Sequence, residues 1–175
     1  NKMTTLGAKQ QIRLRAMEPE DLDWLYKIEN DTTLWNVGAT NVPYSRYALH
    51  DYIANAANDI YIDKQVRLII DDGLGVPVGV VDLVNFDPRH LRAEVGIVIE
   101  SKYRRCGYAA MALREVAAYA ADVLHLHQLY AVVAETNVVS VRLFECMGYT
   151  GCGRLKDWLF DGKKFVDAKV LQVFL

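Results

Sequence analysis

Arg104, Gly107 and Ala109 stand in an R-x-x-G-x-A spacing within ESKYRRCGYA, between an apolar run of strand type and a long helical pattern. A strand-to-helix turn of this kind can hold an anion. Free backbone N–H groups at a helix start lie along the positive end of its dipole, and a glycine lets a bulky diphosphate come close to the chain. The better-known phosphate loops require G-x-x-x-x-G-K-[ST] or G-x-G-x-x-G, and neither pattern occurs. A P-loop nucleotidase and a nicotinamide Rossmann enzyme are therefore disfavoured.

Composition narrows the remaining classes. The chain has 175 residues, 52% hydrophobic and 24% charged, with a formal net charge of -2, which fits one globular domain over 1–175 with residues 1–10 expected to be flexible. Twenty Lys plus Arg against 22 Asp plus Glu leave no basic excess for phosphate backbones, so no nucleic-acid partner is expected. No apolar run approaches the roughly 18–20 residues of a membrane span, and no leader pattern opens the sequence. The expectation is a soluble, cytoplasmic protein with no membrane partner. Cys106, Cys146 and Cys152 are an odd number, which argues against a disulfide framework and for a reducing compartment.

The elements that must position the turn follow from periodicity. QIRLRA alternates as a half-buried strand does and leads into a helix over EPEDLDWLYKIEN, with Pro19 in the first turn and acids complementing the dipole. Ser45 suits the N-cap of a second helix running to about 58. VRLII, VGVVDLVNF and AEVGIVI, separated by DDGLGVP and DPRHLR, read as a three-stranded antiparallel meander. In the next helix Ala109, Leu113, Val116, Ala117, Ala120 and Leu124 share one face. LYAVVA follows as a strand, then a helix from Val138 to Met147 that Gly148 ends, and two last strands at about 153–160 and 165–174. The expected fold is α/β (α+β), a mixed central sheet of about seven strands with four helices.

The second half of the pattern adds a likeness. In ETNVVSVRLFECMGY, Asn137 caps the helix and Ser140 lies one turn on. Together with the R-x-x-G-x-A turn, N-x-x-S-x-x-L-F-x-x-x-G-Y resembles the GNAT superfamily of acetyl-CoA-dependent N-acetyltransferases. IRLRAMEPEDLDWLY and HLRAEVGIVIE resemble its spermidine (SpeG-like) branch in particular. The resemblance implies a GNAT fold, acetyl-CoA as co-substrate without a metal, and a slot where the fourth and fifth strands splay apart. It implies that Ile97, Val98 and Ile99 meet the pantetheine arm, while Arg104, Arg105, Cys106, Gly107, Tyr108, Ala109 and Ala110 cradle the pyrophosphate. Asn137, Ser140 and Phe144 would line the other side of coenzyme A. Gly96 is compatible with a local bulge in the strand.

Acetyl transfer to an amine requires a neutral nitrogen. An amine of pKa about 10.4 is neutral only about once in a thousand at pH ~7.4, about 4 kcal/mol of barrier, whereas a peptide α-amine of pKa about 8 needs less than ~1 kcal/mol. Glu94 is the candidate general base, acting directly or through water; a purely structural Glu94 would pair with Arg92 or His90 at the strand end. Glu29, Trp35 and Glu94 are the acceptor-binding candidates, with Trp24, Tyr44, Tyr47 and Tyr52 as core and pocket wall. Six acids against Lys27 alone in residues 18–31 suggest a negative rim for a cationic amine, or a solvated helix face.

One position departs from the family. Phe144 stands where the family usually carries a Tyr that protonates the leaving thiolate, so water, Cys146 or Tyr149 replaces it, or the thiolate leaves unaided at a cost of about 10²-fold in rate. The expected acceptor is a small-molecule amine, first a polyamine such as spermidine, with a protein N-terminus of ribosomal-protein type and an aminoglycoside as alternatives. A non-catalytic acyl-CoA sensor is the reading from another class. His125, His127, Cys146 and Cys152 offer no tight metal-ligand pair. A homodimer or higher homo-oligomer is implied by the family.

Overall fold

The computed structural model describes residues 11–32, 42–57 and 59–175. Residues 1–10, expected to be flexible, and Trp35 lie outside the described residues. Seven strands form one sheet: β1 Arg13–Arg15, β2 Val66–Asp71, β3 Pro77–Asp87, β4 Arg92–Ile99, β5 Gln128–Ala134, β6 Thr150–Phe160 and β7 Phe165–Phe174, in the order β1-β2-β3-β4-β5-β7-β6. Neighbouring strands are antiparallel except β4 and β5, which run parallel. A crossover helix joins that pair, as parallel strands require.

Five α-helices occur among the described residues: α1 Leu22–Glu29, α2 Arg46–Asn55, α3 Ile60–Asp63, α4 Tyr108–Asp122 and α5 Val138–Cys146. The count exceeds the expected four because α3 is a single turn, too short to show a 3.6-residue period. Asp59 caps it, accepting from Tyr61 N–H at 2.8 Å, and Lys64 closes it in a left-handed conformation (φ 57°). Ser45 caps α2 as expected, accepting from Ala48 N–H at 3.0 Å, but α2 ends at Asn55 rather than near 58. Pro19 opens a 3-10 turn, Pro19–Asp21, which runs directly into α1.

The sheet separates two cores. On one face Leu113, Val116 and Ala120 of α4 and Phe144 of α5 pack on Val81, Leu83, Ala93, Val95, Leu129 and Leu171. On the other, Leu25 of α1 and Leu49 of α2 pack on Ile69 and Val80, with Trp24 and Val98 against them. Strand alternation therefore assigns the faces of β4: Ala93, Val95, Ile97 and Ile99 go to the α4 side, and Glu94, Gly96 and Val98 to the α1 side.

Asp71 fastens the β2–β3 connection. Its buried carboxylate accepts from Gly73 N–H at 2.8 Å, Gly75 N–H at 2.9 Å and Arg15 Nε at 3.1 Å. Gly73 (φ 91°) leaves no room for a side chain, since a Cβ there would lie 2.2 Å from the Gln11 carbonyl oxygen.

Candidate functional site

β4 and β5 begin as partners and then part. They pair over Arg92, Ala93 and Glu94 with Gln128, Leu129 and Tyr130, although β4 continues to Ile99 and β5 to Ala134. Past Glu94 and Tyr130 the facing edges make no ladder, so backbone N–H and C=O groups of Val95 to Ile99 border an open fork. Unpaired strand edges are available to an extended ligand. No register shift occurs at Gly96, which pairs with Asp82 in an unbroken ladder from Gly79↔Ile99 to Val84↔Glu94. The bulge considered at Gly96 thus lies instead in β3 between Val84 and Asp87, where Asn85 adopts φ 51°. A Cβ built on Gly96 meets nothing within 4 Å, so the missing side chain leaves space beside Glu94.

Glu94 sits at the root of the fork. Asn85 Nδ2 donates to its Oε2 at 3.3 Å, while Arg92 pairs with Asp87 at 3.8 Å and the His90 backbone N–H donates to Asp87 at 2.9 Å. Arg92, considered as a structural partner for Glu94, is therefore engaged with Asp87, and neither it nor His90 bonds to Glu94. Burial pushes the Glu94 carboxyl above its ordinary value, and the Asn85 bond only partly offsets this. Tyr130, opposite on β5, is pushed up by burial and by the Glu94 charge. Asn85 and Tyr130 escaped the sequence reading, because neither belongs to a motif and only the bulge and the strand register bring them to Glu94.

The strand end leads through a 3-10 turn, Ser101–Tyr103, to residues 104–110, the stretch expected to bind an anion. Arg104, Arg105, Cys106 and Gly107 are exposed, Tyr108 is buried, and Ala109 and Ala110 are partly covered. Gly107 is the N-cap of α4 at φ 83°, no side chain caps the helix, and a Cβ there would meet nothing within 4 Å. The first turn thus carries backbone N–H groups that no side chain caps, an arrangement suited to an anion. Arg105 takes φ 63°, a left-handed conformation uncommon for a bulky residue. Across the fork, Asn137 caps α5 by accepting from Ser140 N–H at 3.2 Å, as expected.

Phe144 is 3% exposed and packs edge-on against Tyr149, with ring centroids 4.9 Å apart. Tyr149 is equally deep; its hydroxyl has no hydrogen-bond partner among the described residues, and burial pushes its pKa well above the usual phenol range. Cys146, like Cys106 and Cys152, is an exposed free thiol.

On the α1 side, a cleft of about 320 Å³ is bordered by Glu29, Tyr44, Tyr52, Arg67, Asp82 and Val84. The Arg67 guanidinium pairs with Glu29 and grips Asp82 bidentately, Nε to Oδ1 at 2.9 Å and Nη2 to Oδ2 at 3.0 Å. Burial works against its charge, and Asp82 and Glu29 outweigh that and raise its pKa. Three of the six acids in residues 18–31 are neutralised by cations, while Glu18 and Glu20 are exposed. Asp21 is buried on Arg15 (2.8 and 2.9 Å), Asp23 pairs with Arg46, and Glu29 pairs with Arg67, all cations from outside the run. Tyr44 and Tyr52 do line the cleft, but Tyr47 is 80% exposed and is neither core nor wall.

Residues 11–150 match the family described as Acetyltransferase (GNAT) domain. The chain is 25% identical over 163 residues to the spermidine N(1)-acetyltransferase of Vibrio cholerae, covering 93% of this chain and 92% of that one. A crystal structure of spermidine N-acetyltransferase from Vibrio cholerae, in complex with CoA and spermine, superposes with a TM-score of 0.84 at 25% identity, covering 94% of this chain and 95% of that one. A dodecameric structure of the Vibrio cholerae enzyme superposes with a TM-score of 0.75 at 25% identity, covering 94% of each chain.

Proposed function

Because the chain belongs to the GNAT acetyltransferase family, we propose that it transfers acetyl from acetyl-CoA to a primary amine, a polyamine such as spermidine, by direct attack in a ternary complex. The observation that carries this is the end of β4–β5 pairing at Glu94 and Tyr130, which opens a fork between a candidate base and an anion cradle. Acetyl-CoA supplies an activated thioester when bound. The unpaired edge of Ile97, Val98 and Ile99 holds the pantetheine arm, and the cradle from Arg104 to Ala110 holds the pyrophosphate. Asn137 and Ser140 at the start of α5 border the other side. The main gain is proximity and orientation of two reactants along one strand edge.

Glu94 removes the proton that keeps the amine unreactive, directly or through water. A carboxyl pushed upward by burial is a stronger base when ionised, which suits an acceptor that is overwhelmingly protonated near neutral pH. The cleft on the same face sets two carboxylates, Glu29 and Asp82, around one guanidinium, with Tyr44 and Tyr52 as walls. One net negative charge beside aromatic rings favours a cationic amine. The test is thiol release from acetyl-CoA with spermidine, N-terminal peptides and an aminoglycoside. Turnover with spermidine at least about tenfold above the others is expected; release with none of them, despite CoA binding, overturns the enzyme reading in favour of a sensor.

Phe144 favours a second acceptor. With no phenol at that position and Tyr149 enclosed, the leaving thiolate takes its proton from water or Cys146 or departs unaided. A protein α-amine, which needs less activation, tolerates this best, and the peptide panel separates it from a polyamine. The relatives' oligomeric behaviour extends to this chain as a homo-oligomer. Edge strand β6 is exposed almost throughout, and Trp158, Phe160 and Phe165 are each more than half exposed.

A further inference from the structure

Glu100, the residue after β4, is a buried carboxylate, 5% exposed, with its side-chain oxygens bonded to α1. Trp24 Nε1 donates to Oε2 at 3.0 Å and Lys27 Nζ to Oε1 at 2.9 Å. Trp24 and Lys27 are three apart and so share a helix face. The backbone of Glu100 is engaged as well. Its N–H donates to the Val78 carbonyl at 2.9 Å, and its carbonyl accepts from Tyr103 N–H at 2.9 Å, inside the 3-10 turn that leads to the cradle. Lys102 Nζ stands 3.9 Å from Oε1. One residue thus joins the end of β4, the turn before Arg104 and the helix whose last residue, Glu29, borders the acceptor cleft.

The charge arrangement gives this junction a sign. An ionised carboxylate at the head of an anion cradle opposes a pyrophosphate, and a buried one is costly unless paired. Lys27 cancels it from the solvent side. Burial works against ionised Glu100, yet the bonds from Lys27 and Trp24 outweigh it and hold the carboxyl below the usual range.

We propose that Glu100 is a positioning residue that locks α1 to the turn bearing the phosphate cradle, with Lys27 as its charge-cancelling partner, so that the acceptor cleft and the coenzyme A site are set as one unit. This rests on the reading of residues 104–110 as the pyrophosphate cradle. Coupling between two sites of this kind amounts to about 5–150-fold in affinity.

The test is calorimetric binding of coenzyme A, without acceptor, to the wild type, Lys27→Met, Glu100→Gln and the double variant, with thermal melts to confirm folding. Lys27→Met leaves only the Trp24 bond and Lys102, 3.9 Å away, to offset the buried carboxylate and is expected to weaken binding about tenfold. Glu100→Gln keeps an oxygen for Trp24 and removes the charge, so binding stays within about threefold of wild type. Combining the two restores binding to within about threefold, and this non-additivity is read in coenzyme A affinity, whereas a merely structural contact shows its coupling in the melting temperature alone. Lys27→Arg, which keeps the charge, binds as wild type does. In kinetics, Lys27→Met raises KM for acetyl-CoA while kcat changes less than about twofold. Unchanged coenzyme A affinity in Lys27→Met, or no recovery in the double variant, overturns the junction. No binding to the wild type overturns the cradle itself.

Discussion

The amide nitrogen of Asn85 lies 3.3 Å from Oε2 of Glu94, and it is the only hydrogen bond to the Glu94 side chain found among the described residues. The contact depends on the bulge in β3 that turns Asn85 toward β4. Burial raises the Glu94 pKa and this donor lowers it. A base works only when ionised, so the acid limb of kcat/KM is expected above the ordinary glutamate value. Asn85→Ala removes the lowering influence and moves the limb further up in pH. Glu94→Gln lowers kcat by about 10²–10⁴ and shifts activity toward alkaline pH, where the amine loses its proton unaided. A pH–rate profile of the three proteins checks both; an unchanged profile in Glu94→Gln removes the assignment.

Phe144→Tyr asks whether proton delivery to the leaving thiolate limits turnover. The site is packed and 3% exposed, so the added hydroxyl costs about 1–3 kcal/mol of stability unless it finds a partner. If water is the donor in the native protein, kcat rises about tenfold with KM unchanged. Steady-state kinetics beside a thermal melt separate the two effects, and an unchanged kcat shows that departure of the thiolate is not limiting.

Asp71 predicts a feature of acid stability. Burial alone would raise its pKa, but N–H donors from Gly75 and Gly73 and the Arg15 guanidinium outweigh this and hold it below 3.8. A carboxylate depressed in the folded state adds stability above its unfolded pKa, and that stability is lost as pH falls through the lower, folded value. Asp71→Asn is expected to lose about 2–4 kcal/mol at neutral pH and to flatten the dependence on the acid side. Urea melts between about pH 3 and pH 7 measure both quantities.

Self-association through the outer strand is the fourth expectation. Trp158, Phe160 and Phe165 lie on or beside a strand paired only on one side, with Phe160 and Phe165 in ring contact at 5.2 Å. Trp158→Glu with Phe160→Glu reduces the assembly to monomers in light scattering, while coenzyme A affinity stays within about threefold because β5 and β7 stand between β6 and β4, the strand that leads to the 104–110 turn. An unchanged mass places the interface elsewhere.

Local pattern carried much of this architecture. The meander showed in its alternation, Ser45 and Asn137 are the caps their residue types suggested, and the R-x-x-G-x-A turn lies at the start of α4. What escaped depends on partners distant along the chain. Arg67 meets Glu29 across 38 residues and Asp82 across 15, so counting charges in one segment does not find this cluster. The bulge at Asn85 reflects a mismatch between two strands, which neither strand carries alone. Phe144 was visible as a departure, but its burial against Tyr149 was not, because one helix face is assigned to core or cleft only by what it packs on.

The divergence of β4 from β5 has an evolutionary corollary. A trough bordered by main-chain donors and acceptors is specified by where two strands stop touching, and nearly any apolar side chain can occupy its rim without altering those groups. Mutational drift can therefore rewrite most of the surrounding residues while the trough persists. Selection for a new acceptor then acts on the separate cleft bordered by the Glu29, Tyr44, Tyr52 and Arg67 side chains.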